Sequence, residues 1–297
     1  MKKLLKYLAL TLLAVICIDL ALRPAFNYLF TNPPASVRAT MTHRFNSEQS
    51  DVLILGASRA SHHYNCQMII DSLDVTCFNA GHDGQPIYNQ YLNLLRSLQN
   101  GPVRMVLLDL SSAQLCRKWM AERTEPLVPY YWQDDSVRTI IDHVSDRAVP
   151  PCVLYCSSMV QFNSQLHQFM QYFGSAPAAD SLHGYEPLPY TGSEFRYTPA
   201  AVTELDIDPR GEDYLLRMAT LCGERGIRFY VVVSPSLDDL SLFTDYLHRF
   251  CAEHRIEVLD YSTDERYRSD LRLWKDGAHM NARGADMFTA ELVGRLR

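Results

Sequence analysis

Positive charge is in short supply: 28 Lys and Arg stand against 34 Asp and Glu among 297 residues, a net charge of −6 at pH 7. Binding nucleic acid through its phosphates needs a concentrated basic face. This chain advertises none, so no nucleic-acid partner is expected. Neither a C-x-x-C pair nor a His/Cys cluster with zinc spacing occurs, and no metal or organic cofactor is implied. Internal repeats and low-complexity tracts are also missing, which excludes a repeat array. What is present, 47% hydrophobic and 21% charged residues, describes an ordinary globular core rather than a disordered chain. A length of 297 residues suits one α/β domain with an insertion, or one domain with a small subdomain.

One long apolar run stands at the N-terminus. Lys2, Lys3 and Lys6 precede Tyr7–Ile18, a basic segment followed by an apolar one. A span needs about 20 residues, and counting from Leu4 to Leu22 supplies them if Lys6 and Asp19 sit near the two interfaces, where Lys6 can snorkel. No A-x-A-like site follows, and Arg23-Pro24 is expected to interrupt the run. An uncleaved signal-anchor over 1–23, outside the folded domain, is the preferred reading, with a cleaved signal peptide left open. Cys17 is preceded by the bulky Ile16, which argues against a lipoprotein. A buried helix of a cytosolic protein would strand three lysines on an apolar segment. The lysine-bearing end should stay cytoplasmic, placing the remainder on the extracytoplasmic side of a cell-envelope membrane. Export permits disulfides. Cys152 and Cys156 are the best-placed pair, whereas Cys77 and Cys251 sit in apolar stretches as small core residues.

Beyond a linker over 24–50, short apolar runs alternate with helical patterns. Strands are expected at 52–55, 75–78, 103–110, 227–233 and 256–259. Helices are expected at 60–73, 85–98, 214–225, 240–254 and from Asn281, a plausible N-cap, toward Leu296. This alternation argues for a five-stranded parallel sheet in a flavodoxin-like three-layer α/β/α sandwich over 51–297. Between about 111 and 210 the pattern breaks into a stretch with nine prolines, too long for a simple connection and read as an insertion. Emerging at the carboxyl end of the third strand, it is placed to build a cleft. Tyr130, Tyr131, Trp132, Tyr185 and Tyr190 could stack on a sugar there, or simply pack the insertion.

Two short motifs lie almost as far apart as the soluble part allows. Gly56-Ala57-Ser58-Arg59 follows the first strand, and Asp276-Gly277-Ala278-His279 lies near the C-terminus. A serine hydroxyl needs a base within hydrogen-bond reach, itself oriented by a third group. Ser58 falls at a strand-to-helix turn, where backbone N–H groups are available to a developing oxyanion. Asp276 can accept from His279 Nδ1 and leave Nε2 toward the serine. Taken singly, the first motif could be a helix cap and the second a surface turn; together, in this order, they point to a Ser–His–Asp triad.

These residues resemble the blocks of the SGNH/GDSL hydrolases. Gly56-Ala57-Ser58 is similar to the first block, with Ala where Asp is commoner. Asn79-Ala80-Gly81 resembles the second, whose glycine N–H helps form the oxyanion hole, and Asp276-Gly277-Ala278-His279 resembles the fifth. The match covers about 51–110 and 211–297. The resemblance implies Ser58, Asp276 and His279 as catalytic residues and the N–H groups of Ser58 and Gly81 as oxyanion donors, with Arg59, Asn79 and His82 bordering the cleft. It implies no cofactor and an ester substrate. Membrane-anchored envelope proteins of this type act on O-acylated polysaccharides, which makes an acylated carbohydrate the expected partner beside the lipid bilayer. The third-block G-x-N-D is missing: the third strand ends Leu108-Asp109-Leu110-Ser111-Ser112, so that block's oxyanion donor is absent or replaced.

Other readings remain open. Gly56–Ala60 approaches the nucleophile elbow of α/β-hydrolases, but that motif follows several strands rather than the first. His62-His63 with His82-Asp83 could imitate a metal site, although the spacing fits no usual ligand set. The same triad could transfer an acyl group to a sugar hydroxyl rather than to water. A non-catalytic glycan-binding module could keep the fold, and the missing third-block asparagine would suit it.

Overall fold

Near-continuous apolar runs suit strands covered on both faces, and the computed structural model of the chain places five of them in one parallel sheet. Residues 1–31, 49–163, 166, 182–190 and 196–297 are described. The strands are β1 (Val52–Gly56), β2 (Cys77–Asn79), β3 (Met105–Asp109), β4 (Arg228–Val233) and β5 (Glu257–Asp260), in the order β2-β1-β3-β4-β5. Val52 pairs with Cys77 on one side and Met105 on the other, and the β1–β3 ladder ends at Gly56 opposite Asp109. Both central strands are buried throughout. This order reverses direction at β1, so the crevice beyond the carboxyl ends of β1 and β3 is where such sheets hold ligands. The expected α/β/α class is therefore the observed one.

The chain divides into two compact units, one of Met1–Thr40 with Ala121–Ala178 and one of Met41–Met120 with Ala179–Arg297. The expected insertion at 111–210 is thus shared between them, and most of the expected linker lies outside the described residues.

The first unit opens with α1 (Lys2–Thr31), long and apolar enough over Lys2–Phe30 to cross a membrane by length and composition. The expected break at Arg23-Pro24 does not occur. A proline inside a helix costs roughly 3 kcal/mol, and packing past it offsets that loss. Phe26 and Phe30 meet Phe162 at 5.8 and 5.6 Å, and Phe30 meets Tyr130 edge-on at 4.7 Å. Tyr131 is buried and donates to Asp142 Oδ1 at 2.8 Å, while Trp132 Nε1 donates to the Tyr155 carbonyl at 2.7 Å. These three aromatics pack their own unit.

In the sheet unit the expected helix at 60–73 is two, α2 (Ser58–His63) and α3 (Cys66–Leu73). Asn65 breaks it: its side-chain oxygen caps α3 by accepting from Gln67 N and Met68 N. Its own N–H donates to Thr289 Oγ1 at 3.0 Å and its Nδ2 to Asp286 Oδ1 at 2.7 Å. These are tertiary partners that helical periodicity cannot register. Four longer helices follow in this or the first unit: α4 (Ile87–Asn100), α5 (Asp135–Val144), and, after two short turns α6 (Pro151–Leu154) and α7 (Ser158–Gln161), α8 (Pro209–Glu224) and α9 (Ser241–Glu253). The last helix, α10 (Ala282–Leu296), is capped by Asn281, whose oxygen accepts from Arg283 N and Gly284 N. Phe288 on α10 seats edge-on against Tyr64 and Tyr261, each at 5.2 Å.

Residues 182–190 run across α2 as a strap. Asn79 N donates to His183 O, Glu186 N to Ser61 O and Ala282 N to Leu188 O, at 2.8, 3.0 and 2.8 Å. Tyr185 is buried within the strap, whereas Tyr190 is exposed. All eight cysteines are free, and the best-placed pair, Cys152 and Cys156, meets through a thiol hydrogen bond from Cys156 to the Cys152 carbonyl. In the sheet unit, Cys77 Sγ donates to Cys66 Sγ at 3.2 Å, both buried.

Because Phe288 fills the space between two tyrosine rings, Phe288→Ala should lower unfolding free energy by about 3–5 kcal/mol in urea titration. A loss below about 1 kcal/mol would show that the aromatic cluster does not hold α10.

Candidate active site

Ser58 is the first residue of α2, directly past the end of β1. Its N–H has no partner inside the helix, as for any first-turn residue. His279 reaches it from the far end of the chain: Nε2 lies 2.8 Å from Ser58 Oγ. Asp276 closes the arrangement, with Oδ1 and Oδ2 at 3.0 and 3.1 Å from His279 Nδ1. Nδ1 therefore carries the proton, and Nε2 is the acceptor facing the serine hydroxyl. Asp276 Oδ1 also accepts from Ala278 N and His279 N at 2.8 and 2.9 Å, so one carboxylate shapes the turn and orients the ring. The Tyr197 ring covers Gly277 and leaves no room for a side chain there, while its hydroxyl donates to Asp238 Oδ1 at 2.6 Å. Burial raises the Asp276 carboxyl, but the hydrogen bonds from His279 and the turn's N–H groups outweigh it and hold it below the usual carboxylate range. Its charge persists well into acid.

The expected cleft residues take different roles. Asn79 does not line a cleft. It is fully buried at the end of β2, donates from Nδ2 to the Ala60 carbonyl at 2.7 Å, and accepts the Gly81 N–H on Oδ1 at 2.9 Å. The Gly81 N–H is therefore engaged inside its own loop, and Gly81 packs so closely on α2 that a methyl group would strike Ala60 and the Ser61 nitrogen. Arg59 points to the carboxyl end of β3, with Nη2 donating to the Leu110 carbonyl at 2.8 Å. It also lies 3.1 Å from the buried Asp109 Oδ1, a charge–charge contact rather than an aligned hydrogen bond. Tyr64 OH donates to the other Asp109 oxygen at 2.7 Å. His82 is half-buried, and its N–H donates to the Gly56 carbonyl at 3.2 Å. At the third-block position, Ser111 spends both its N–H and its hydroxyl on Gln114 Oε1.

Two histidines read from sequence only as metal mimics are placed beside the triad. Among the described residues no group of three His, Cys, Asp or Glu could hold a metal ion. His62, one helical turn after Ser58, meets the His279 ring edge-on at 5.4 Å. Its Nδ1 is 2.6 Å from the Glu186 carbonyl and its Nε2 is 3.3 Å from Asp83 Oδ1. Burial lowers its pKa, but these acceptors outweigh burial and raise it above the ordinary value. His63 is fully buried and neutral, its pKa held well below normal by burial and then by the nearby Arg59, His279 and His62. Its Nε2 accepts the Met280 N–H at 3.0 Å, so Nδ1 donates to Ser234 Oγ at 3.1 Å. A single imidazole thus ties the helix bearing Ser58 to the residue after His279 and to the chain leaving β4. Adjacent histidines at 62 and 63 were the only sequence signal for this strut.

No protein-family model and no curated protein sequence matches the chain. Solved structures with a similar course include a GDSL-like lipase from Bacteroides thetaiotaomicron, 10% identical with a TM-score of 0.41, covering 89% of this chain and 98% of that one. An acetyl xylan esterase is 10% identical with a TM-score of 0.44, covering 83% and 100%. At these values neither transfers an activity or a residue role to this chain.

His62 and His63 should pull acid stability in opposite directions. For His63 the folded pKa lies below the unfolded one, so its contribution is present above about pH 6.5 and is lost on acidification. A raised pKa, as for His62, gives stability that is present in acid and lost as pH rises. Between pH 7 and 5, His63→Gln should therefore flatten the fall of unfolding free energy, by up to about 1.4 kcal/mol per pH unit, and His62→Gln should steepen it. Parallel curves for wild type and His63→Gln would refute the buried neutral state.

Proposed function

We propose that this protein is a serine ester hydrolase of SGNH/GDSL type that removes O-acyl groups, acetyl foremost, from an envelope carbohydrate. The continuous hydrogen-bonded line Ser58–His279–Asp276 carries the reading. Ser58 Oγ attacks the ester carbonyl as its proton passes to His279 Nε2, and Asp276 stabilises the imidazolium. The tetrahedral adduct collapses, and the departing sugar oxygen takes that proton. Water, deprotonated by His279, then attacks the acyl-serine, releasing the carboxylic acid and restoring Ser58. The Ser58 N–H is the oxyanion donor available without rearrangement, and the Gly81 N–H joins it on leaving Asn79 Oδ1. Each such donor is worth about 10²–10³ in rate. A carbohydrate substrate is supported by the expected envelope location, with α1 as membrane anchor and the sheet unit outside the cytoplasm.

The engaged Gly81 N–H and the Ser111 pair, spent on Gln114, are the observations that favour a second reading, a glycan-binding module on the same fold. Fluorophosphonate labelling and p-nitrophenyl acetate turnover separate the two. Wild type should label at Ser58, and Ser58→Ala and His279→Ala should each lose about three orders of magnitude or more in kcat. Asp276→Asn should lose about 10²–10⁴. A wild-type protein that neither labels nor turns over ester refutes the hydrolase and leaves the binding module.

A further inference from the structure

The stretch of α1 ahead of its first acidic residue, Asp19, falls short of a full span. Leu4–Ile18 spans roughly 22 Å at 1.5 Å per residue, against a hydrocarbon core of about 30 Å. The turn that completes the span contains Asp19, with Arg23 directly after it, and an unpaired charge at that depth costs several kcal/mol. Neither charge is unpaired. The Asp19 carboxylate accepts from Ser157 Oγ at 2.8 Å, Ser158 N at 3.0 Å and Met159 N at 2.9 Å, and its carbonyl accepts from Ser158 Oγ at 2.8 Å. One turn further along, Arg23 donates to the Cys156 carbonyl. Both groups therefore meet the junction between α6 and α7. Every residue from Met1 to Ile18 is exposed, whereas Asp19 is buried, so the change from bare helix to packed helix falls at this contact. The short helices expose apolar side chains beside it: Val153 at 59%, Met159 at 43% and Val160 at 45%.

We propose that Pro151–Gln161 forms a foot that enters the bilayer beside α1, shields Asp19 and Arg23, and presents Val153, Met159 and Val160 to lipid chains. The occupant of this apolar surface is the hydrocarbon of the leaflet distal to Lys2, Lys3 and Lys6. The surface lies where the bare part of α1 ends, at Asp19. With that turn included, the span from Leu4 to Leu22 reaches roughly 28 Å, and the Asp19 carboxylate enters the membrane with its partners from the same chain. The foot rests on the reading of α1 as a membrane anchor.

The test uses the full chain in phosphatidylcholine vesicles, with p-benzoylphenylalanine placed singly at Leu10, Val153, Val160 and, as a collision control, the exposed Leu242. After irradiation, lipid adducts counted by mass spectrometry should be abundant at Leu10, Val153 and Val160, and at least about tenfold fewer at Leu242. Adducts at Leu10 with none above the control at 153 and 160 would overturn the foot and leave the anchor standing. No adducts at Leu10 would overturn the anchor, and the foot with it. Chain-to-chain adducts at 153 and 160 in place of lipid would make the patch an interface between copies and also overturn the proposal.

Discussion

The packing of α10 against α2 and α3 governs the candidate site. Ser58 and His279 lie 221 residues apart, so no local preference can set their separation. It is set by Phe288 seated on Tyr64, by Thr289 bonding the Asn65 N–H and the His63 carbonyl, and by His63 accepting the Met280 N–H. Productive serine chemistry tolerates little drift between nucleophile and base. A neutral, fully buried imidazole suits this strut, because protonation would turn its Nε2 from acceptor into donor and set it against the Met280 N–H. Buried polar links of this kind are costly when half-satisfied and rigid when complete.

The sheet and the Ser58–His279–Asp276 arrangement were legible in the sequence because each has a strong local signature. Runs such as Val52–Leu55 and Met105–Leu108, short, apolar and alternating with helical patterns, are consistent with buried strands. The spacing in Asp276–His279 lets one carboxylate serve both its turn and the imidazole. What escaped was set by distant partners. The helix break at Asn65 depends on Thr289 and Asp286, and the Gly81 N–H is claimed by Asn79, a residue whose place in the second block implied a cleft position. Pro24 was read as a stop, but aromatic contacts with Phe162 and Tyr130 carry the helix through it.

The first unit makes a related point about charge. In the apolar N-terminal segment, Asp19 was read as a boundary marker at an interface. Its carboxylate is instead consumed by the N–H groups and hydroxyl of residues 157–159. Hydropathy counts charges without asking who answers them, and a partner about 140 residues away is invisible to any window.

The strap at 182–190 carries one more consequence, for anyone who would shorten this protein. Its backbone completes the hydrogen bonding of β2, α2 and the start of α10, and its Glu186 carbonyl holds His62. Cutting the insertion away at the edges of the sheet would strip those donors and acceptors from buried backbone beside Ser58. A minimal version of the domain would therefore have to keep these nine residues as an element of the fold in their own right and splice only on the far side of Leu182.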